Sequence, residues 1–561
     1  MRSSARKLGL VALLVTVATA GCVSGEQQTP SPTRDAAAPV ELRVPSEPLT
    51  VVSGQGADVQ AVAVSSALFE SSPVVALLAD DAADARLAAA SAAVTLGVPL
   101  LELDDDPELV SAEIARLGAQ QVLAWGDAGT SVPDGLEIIQ SGTSAESLSD
   151  ALGVELEARA FDGDPLDAVI SLERGGGTVL EPGTVPSPSA SSAGEDGESH
   201  SSDPDADATL VEVTPGEAAT GVVALLTDEE DTLAAAATVR AAGARAVALP
   251  VDNPDPERSS EAITALHEDQ TVATLAVGTA FADVESLDWR VRSASSGWQL
   301  AGGGQQLFPD HMAVAIYGTP GAPVLGVLGE QDLGASIERA RSFAEPYEAL
   351  TDKTVLPAFE IITTVASGSA GSDGDYSNEI DPESLRPWIE EAGRQGVYVI
   401  LDLQPGLSDF VSQAREYESL LRYPWVGLAV DPEWRLKPGE RHLAVIGDVG
   451  ADEVNALADY LAELVDSESL PPKLFVLHQF RNDMLPDRDR IVTDRPELTM
   501  LVHVDGQGTQ PGKQATWRTL REGATIDYWG WKNFLDEDTP PLTPEQTMAE
   551  VAPQPDLITY Q

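Results

Sequence analysis

Residues 423–436 read YPWVGLAVDPEWRL, an apolar run from Val426 to Val430 that meets Asp431, Pro432, Glu433 and Trp434 without a break. Five small or apolar residues without polar alternation suit a strand buried on both faces, as in parallel sheets. Proline cannot donate to a strand ladder, so Pro432 places the end of the strand at the acids. The two carboxylates therefore stand where such a strand delivers its side chains to solvent or to a ligand.

The same texture recurs on both sides of this stretch. From about residue 306 the chain contains MAVAIYG, VLPAFEIITTVA, VYVILDLQ, WVGLAVDPEW, KLFVLHQF, LTMLVHVDGQG, TIDYWGW and DLITYQ. Helical stretches such as SIERARSFAEPYEAL, DPESLRPWIEEAGRQG, SDFVSQAREYESLLR and DEVNALADYLAELVD separate the earlier runs. Eight strands with crossover helices over residues 306–561 match the roughly 250 residues of a (β/α)8 barrel. The last connections look less helical, so an irregular closure is expected.

In run after run the polar residues come last. Glu360 follows LPAF, Asp402 and Gln404 end VYVIL, and Asp431 and Glu433 end VGLAV. His478 and Gln479 end LFVL, while His503, Asp505 and Gln507 end TMLV. Active sites of such barrels lie at the C-terminal ends of the strands. Side chains alternate faces along a strand, so Asp431 and Glu433 are expected to share one face, as are Asp402 with Gln404 and His503 with Asp505. Two adjacent carboxylates cannot both ionise freely, so one should keep its proton. Trp434, Trp529 and Trp531 are candidates to stack on sugar rings. Lys532 has the chemistry of a Schiff-base lysine, although lysines are more often at the surface.

An Asp-x-Glu closing the fourth strand, with tryptophans near the mouth, resembles glycoside hydrolases of the chitinase-like type. The resemblance implies that Glu433 protonates the leaving oxygen, with Asp431 as its partner. Glu360 or Asp402 would then activate water or attack carbon. Two further aspartates of that family's motif are replaced here by Ala429 and Val426. Two alternatives remain open: a carbohydrate-binding surface without turnover, and a metal-dependent hydrolase using Asp402, Asp431, Glu433, His478, His503 and Asp505. The first barrel strand lacks the His-x-His pair common in metal-dependent barrels, and no metal or cofactor is assigned.

The N-terminal half carries an internal repeat. PVVALLADDAADARLAAASAAVTLGVPLLELDDD begins at Pro73, and GVVALLTDEEDTLAAAATVRAAGARAVALPVDN begins at Gly221. Each has an apolar strand, an acidic loop, an Ala-rich helix and a further strand, followed by a third apolar run ending at Gly126 or Gly278. These are doubly wound, Rossmann-like α/β units, expected over residues 61–175 and 219–305. The order of elements resembles the type 2 cell-wall-binding repeat of Gram-positive surface proteins, which implies attachment to wall polymers. Between the units, residues 176–218 are expected to form a disordered acidic insert rich in Ser and Pro. His200 falls within it.

The first residues, MRSSARKLGLVALLVTVATAGC, have a basic start, a short apolar core and small residues before Cys22, the single cysteine. The plan is that of an export signal, too short to span a bilayer. It resembles a bacterial lipoprotein signal, which implies lipidation of Cys22 and anchoring to the outer face of the cell membrane. Residues 1–21 would be removed, and residues 22–60 would form a flexible tether. With 33 basic and 91 acidic residues the net charge is −58. Such a surface repels nucleic acid and anionic lipid headgroups, so those partners are not expected. The expected partner is cell-envelope polysaccharide.

Overall fold

Parallel pairing of Val-rich strands organises both halves of the chain in the computed structural model, which describes residues 38–183 and 210–561. The signal segment, Cys22, the tether up to residue 37 and His200 with most of the acidic insert lie outside the described residues.

The first repeat folds as a four-stranded parallel sheet in the order Leu100–Glu102, Val74–Ala79, Gln121–Gly126, Glu137–Gln140. The second has the order Arg245–Leu249, Val222–Thr227, Ala273–Val277, Leu49–Val52. Its fourth strand precedes the first repeat in sequence, so the expected tether is too long. Residues 38–60 contribute the strand Leu49–Val52 and the start of the helix Ala57–Leu68. After Ala273–Val277 the chain leaves for the barrel, and Leu49–Val52 fills the edge position that Glu137–Gln140 holds in the first sheet.

The Ala-rich helices Ala83–Leu96 and Leu233–Ala241 pack against each other. Alanine is the reason: with no bulk beyond Cβ, the helices approach closely and join both sheets in one apolar cluster. Thr238 seals the joint, its Oγ1 donating to the Leu100 carbonyl at 2.9 Å and accepting the Leu100 N–H at 3.0 Å. The expected insert is also partly ordered, since Thr178–Pro182 pairs in parallel with Glu157–Phe161.

The C-terminal half is a closed barrel of eight parallel strands: β1 (His311–Gly318), β2 (Thr354–Ala366), β3 (Tyr398–Leu403), β4 (Val426–Val430), β5 (Lys473–His478), β6 (Leu498–Val504), β7 (Tyr528–Asn533) and β8 (Leu557–Tyr560). Pairing of β1 with both β2 and β8 closes the ring. Each strand falls on one of the eight apolar runs. Helices α1 (Leu333–Ala344), α2 (Pro382–Arg394) and α3 (Phe410–Glu416) start at Asp332, Asp381 and Asp409, whose carboxylates accept backbone N–H groups of the first turn. The short α4 (Glu418–Leu421), then α5 (Ala451–Ser467), α6 (Gln510–Arg521) and α7 (Pro544–Glu550) complete the outer layer. The irregular crossover is not at the closure. It joins β5 to β6 through the short turns Asn482–Met484 and Arg488–Arg490, whereas α6 and α7 serve the last two connections.

Leu300, Leu307 and Phe308, from the segment entering β1, join Ala313, Leu356, Ile400 and Val476 in the cluster that fills the barrel. The opposite end carries the polar groups. The two halves meet at Trp289, which is 1% exposed, packs on Val465 and Leu470, and donates Nε1–H to the Leu470 carbonyl at 3.1 Å.

Candidate functional site

Strand alternation sorts the barrel residues into two sets. On β5, Leu474 and Val476 face the barrel interior, while Phe475 and Leu477 face the helices; His478 continues the inward series. By the same parity β1 aims Tyr317 inward, β2 Glu360, β3 Asp402, β6 His503, β7 Lys532 and β8 Thr559. The lower interior is apolar and the upper interior is ionisable. Glycine makes room for this layer: a Cβ at Gly530 would lie 2.4 Å from His503 Cδ2, so the imidazole lies over β7 only because residue 530 has no side chain.

Within this layer the contacts are specific. His478 Nε2 lies 2.7 Å from Glu360 Oε1 and 3.9 Å from Asp402 Oδ1, and His478 Nδ1 lies 3.0 Å from Asp505 Oδ2. His503 Nδ1 is 3.3 Å from His478 Nδ1 and 3.9 Å from Glu360 Oε1. Thr559 Oγ1 donates to Glu360 Oε2 at 2.9 Å, and the Tyr317 hydroxyl donates to Asp402 Oδ2 at 2.8 Å. The ammonium of Lys532 sits 3.4 Å from the centroid of the Tyr317 ring. Glu360, Asp402, His478 and His503 are all fully buried.

A cavity of about 710 Å³ opens above them. Gln404, Asp431, Glu433, Trp434, Asp505 and Gln507 line it, together with Tyr317 and Lys532. Glu360 and Asp402 do not reach its wall. Asp431 and Glu433 meet in this cavity by a route other than strand parity. The strand stops at Val430, and Asp431 Oδ1 instead accepts the Glu433 N–H at 3.3 Å, capping the short turn Pro432–Trp434. The nearby cations are engaged elsewhere: Arg435 pairs with Glu453 at 3.0 Å and Arg481 with Asp483. Among the described residues Glu433 has no ion-pair partner.

The carboxyls are pushed apart in acidity. Burial, reinforced by Asp505, raises Glu433 to about 7. Burial and the neighbouring Glu433 raise Asp431 well above the usual carboxylate range. Burial also lifts Asp402 to about 6, against the pull of His478. Glu360 goes the other way: burial opposes ionisation, but His478 and His503 outweigh it and hold the acid at about 2. Burial disfavours the charged His478, yet Glu360 and Asp505 on its two sides raise it well above its ordinary value. His503 is depressed to about 3 by burial.

Three candidate residues turn away from the site. Trp529 and Trp531 alternate with Gly530 and Lys532, so they face the helix layer. Both pack edge-on against Trp517, and their indole N–H groups bond to the Ile526 carbonyl and to Asn533. They are core, and cannot stack on a sugar. Gln479 is 1% exposed and ties down the β5–β6 crossover, donating to the Arg481 carbonyl and accepting from Arg488. Sequence reading passed over Tyr317 and Thr559, and treated Lys532 as more often a surface residue. The signal for Tyr317 and Lys532 was parity: Tyr317 lies in step with Ala313 and Ala315, and Lys532 is out of step with the two tryptophans.

The class the fold defines is a pair of doubly wound units joined to a (β/α)8 barrel with an acidic, imidazole-bearing mouth. No family model matches the chain, and no curated protein matches it. Among solved structures, Cwp6 from Clostridium difficile aligns at 12% identity and a TM-score of 0.33, over 59% of this chain and 67% of that one. The xylanase and alpha-amylase inhibitor protein XAIP-II from Scadoxus multiflorus aligns at 14% identity and a TM-score of 0.29, over 44% of this chain and 92% of that one. At these scores neither bears on the chemistry of this chain.

Proposed function

We propose that this protein is an exported lipoprotein, held at the outer face of the cell membrane through Cys22, whose barrel hydrolyses glycosidic bonds in cell-envelope polysaccharide. The observation that carries the reading is the position of Glu433, half-buried on the wall of the 710 Å³ cavity with no ion-pair partner among the described residues. A carboxyl without an ion-pair partner in a partly dry site is suited to give its proton to a leaving oxygen. Hydrolysis needs a second carboxylate in reach of substrate. Asp505 lines the same cavity, whereas Glu360 and Asp402 lie beneath it, so the role expected of those two passes to Asp505. Trp434 on the wall offers an apolar face for a sugar ring, and Gln404 and Gln507 offer amides for its hydroxyls. The repeat units, in this reading, hold wall polymer or space the barrel from the membrane.

The test is release of reducing ends from a panel of cell-wall and capsular glycans by the full chain and by Glu433→Gln. Release that disappears in the variant supports the hydrolase. Absence of release from every glycan, with equal glycan binding by both forms, supports the second reading: a carbohydrate-binding lipoprotein with Trp434 at the lip of its groove.

A further inference from the structure

Beneath the cavity, Glu360, Asp402 and His478 each have one atom occupied by an outer partner and one atom left over. Glu360 Oε2 accepts from Thr559, Asp402 Oδ2 accepts from Tyr317, and His478 Nδ1 meets Asp505. The remaining atoms, Glu360 Oε1, Asp402 Oδ1 and His478 Nε2, are buried without a hydrogen-bond partner. They converge: His478 Nε2 is 2.7 Å from the first and 3.9 Å from the second, and His503 Nδ1, which also meets His478 Nδ1 at 3.3 Å, is 3.9 Å from Glu360 Oε1. The 2.7 Å approach is close, but it is not aligned as a hydrogen bond.

We propose that Glu360, His478 and His503, whose ligand atoms all lie within 4.8 Å of one another, bind one divalent transition-metal ion on the barrel axis. Ligand atoms at about 2.0–2.2 Å from a tetrahedral ion stand about 3.3 Å from one another, and the observed separations of 2.7 and 3.9 Å straddle that value. Two imidazoles and one carboxylate, with a position left open, are a donor set of zinc and its first-row neighbours, not of calcium or magnesium. The outer partners are those a metal site requires. Asp505 on His478 Nδ1 fixes the tautomer with the Nε2 lone pair free, while Thr559 orients Glu360 and Tyr317 orients the neighbouring Asp402.

Charge balance points the same way. Glu360, Asp402, Asp431, Glu433 and Asp505 share this mouth with Lys532, while Lys513 is committed to Asp538 at 2.5 Å. Buried carboxylates in excess of cations need a counter-ion. A divalent ion at the free atoms supplies it. A second acidic group, Asp373, Asp375 and Glu379, is partly solvated, contains no imidazole, and serves as the control. The proposal stands apart from the glycan reading, because binding is measured without turnover.

The experiment is elemental analysis of the purified full chain, followed by calorimetric titration of chelator-stripped protein with Zn²⁺ and by the visible spectrum of its Co²⁺ form. One equivalent per chain is expected, with tetrahedral cobalt bands and a higher melting temperature on metal addition. His503→Asn should weaken binding at least tenfold. Asp505→Asn, which keeps the shape but changes the outer partner, should weaken it by 10–100-fold. Asp375→Asn should leave it unchanged. If His503→Asn does not fold, the cobalt spectrum of the unaltered chain and the Asp505→Asn titration still decide. No stoichiometric binding by the folded chain would overturn the proposal, as would binding lost in Asp375→Asn but kept in Asp505→Asn.

Discussion

Glu433 illustrates how a residue type acquires a function from its surroundings. An exposed glutamate ionises near 4.3 and gives up its proton long before neutrality. On the cavity wall, burial and Asp505 raise it to about 7. As a proton donor it works only while protonated, so the rate should be highest below that value and fall as pH rises through it. The check is a pH–rate profile of glycan hydrolysis. Glu433→Gln should lower the rate by about 100-fold or more, the usual worth of a positioned general acid, while the melting temperature stays near that of the parent. Gly530 makes the opposite point, since its value lies in what it lacks. Gly530→Ala drives a methyl into His503, whose Cδ2 lies 2.4 Å from the added carbon. Overpacking of this kind costs about 1–3 kcal/mol, measurable by urea denaturation.

At the level of the element, β7 shows how parity decides a role. Its tryptophans suggested a sugar platform, yet the strand turns them toward α6, where Trp517 receives both. Trp531→Ala should therefore cost about 3–5 kcal/mol of stability, as large-to-small changes in cores do. Glycan affinity measured on the protein that remains folded should not change. The start of β5 supplies a second case. Lys473 is fully buried, its ammonium donating to the Tyr423 and Val426 carbonyls at 2.9 and 2.8 Å. Burial lowers it to about 7. Between there and the ordinary lysine value near 10.4, the unfolded chain binds a proton that the folded chain does not. Stability from this group therefore rises with pH across that window, by up to about 1.4 kcal/mol per unit. Lys473→Met should flatten that slope, as read from denaturant midpoints of parent and variant between pH 7 and 10. The strands themselves were legible in the sequence because each is a continuous apolar run. The direction a side chain faces was legible only by counting from a residue known to be inside. Asp431 and Glu433 escape even that count, because the strand ends before them and a capped turn brings them together.

At the scale of the molecule, the chain joins two architectures at a contact built around Trp289. Trp289 is wedged between Val465 and Leu470, and Arg292 reaches Asp466 at 2.6 Å across the same joint. This buried indole is expected to make the repeat units and the barrel unfold together. Trp289→Ala should separate a single calorimetric transition into two. The repeat symmetry was visible in the two VVALL segments, but the supply of the second sheet's edge strand from residues 49–52 was not. Leu49–Val52 is four residues with no helix before it among the described residues, and nothing local distinguishes such a strand from a tether. Only the open edge beside Ala273–Val277 gives it a place.

What the amino-acid order determined by itself was the set of elements: eight apolar runs of barrel texture, two Ala-rich α/β repeats, and acids, amides and imidazoles at the ends of strands. These depend on local composition and period, which the chain carries wherever it folds. What the tertiary structure decided was which of those polar residues share a space. Closing the ring brings β2, β3, β5 and β6 to one axis, so that Glu360, Asp402, His478 and His503 converge although they are far apart in sequence. The same closure leaves Asp431, Glu433 and Asp505 on a cavity wall above them and turns Trp529 and Trp531 outward. Convergence and exposure follow from barrel closure and strand parity together, and these arise only when all eight strands are in register.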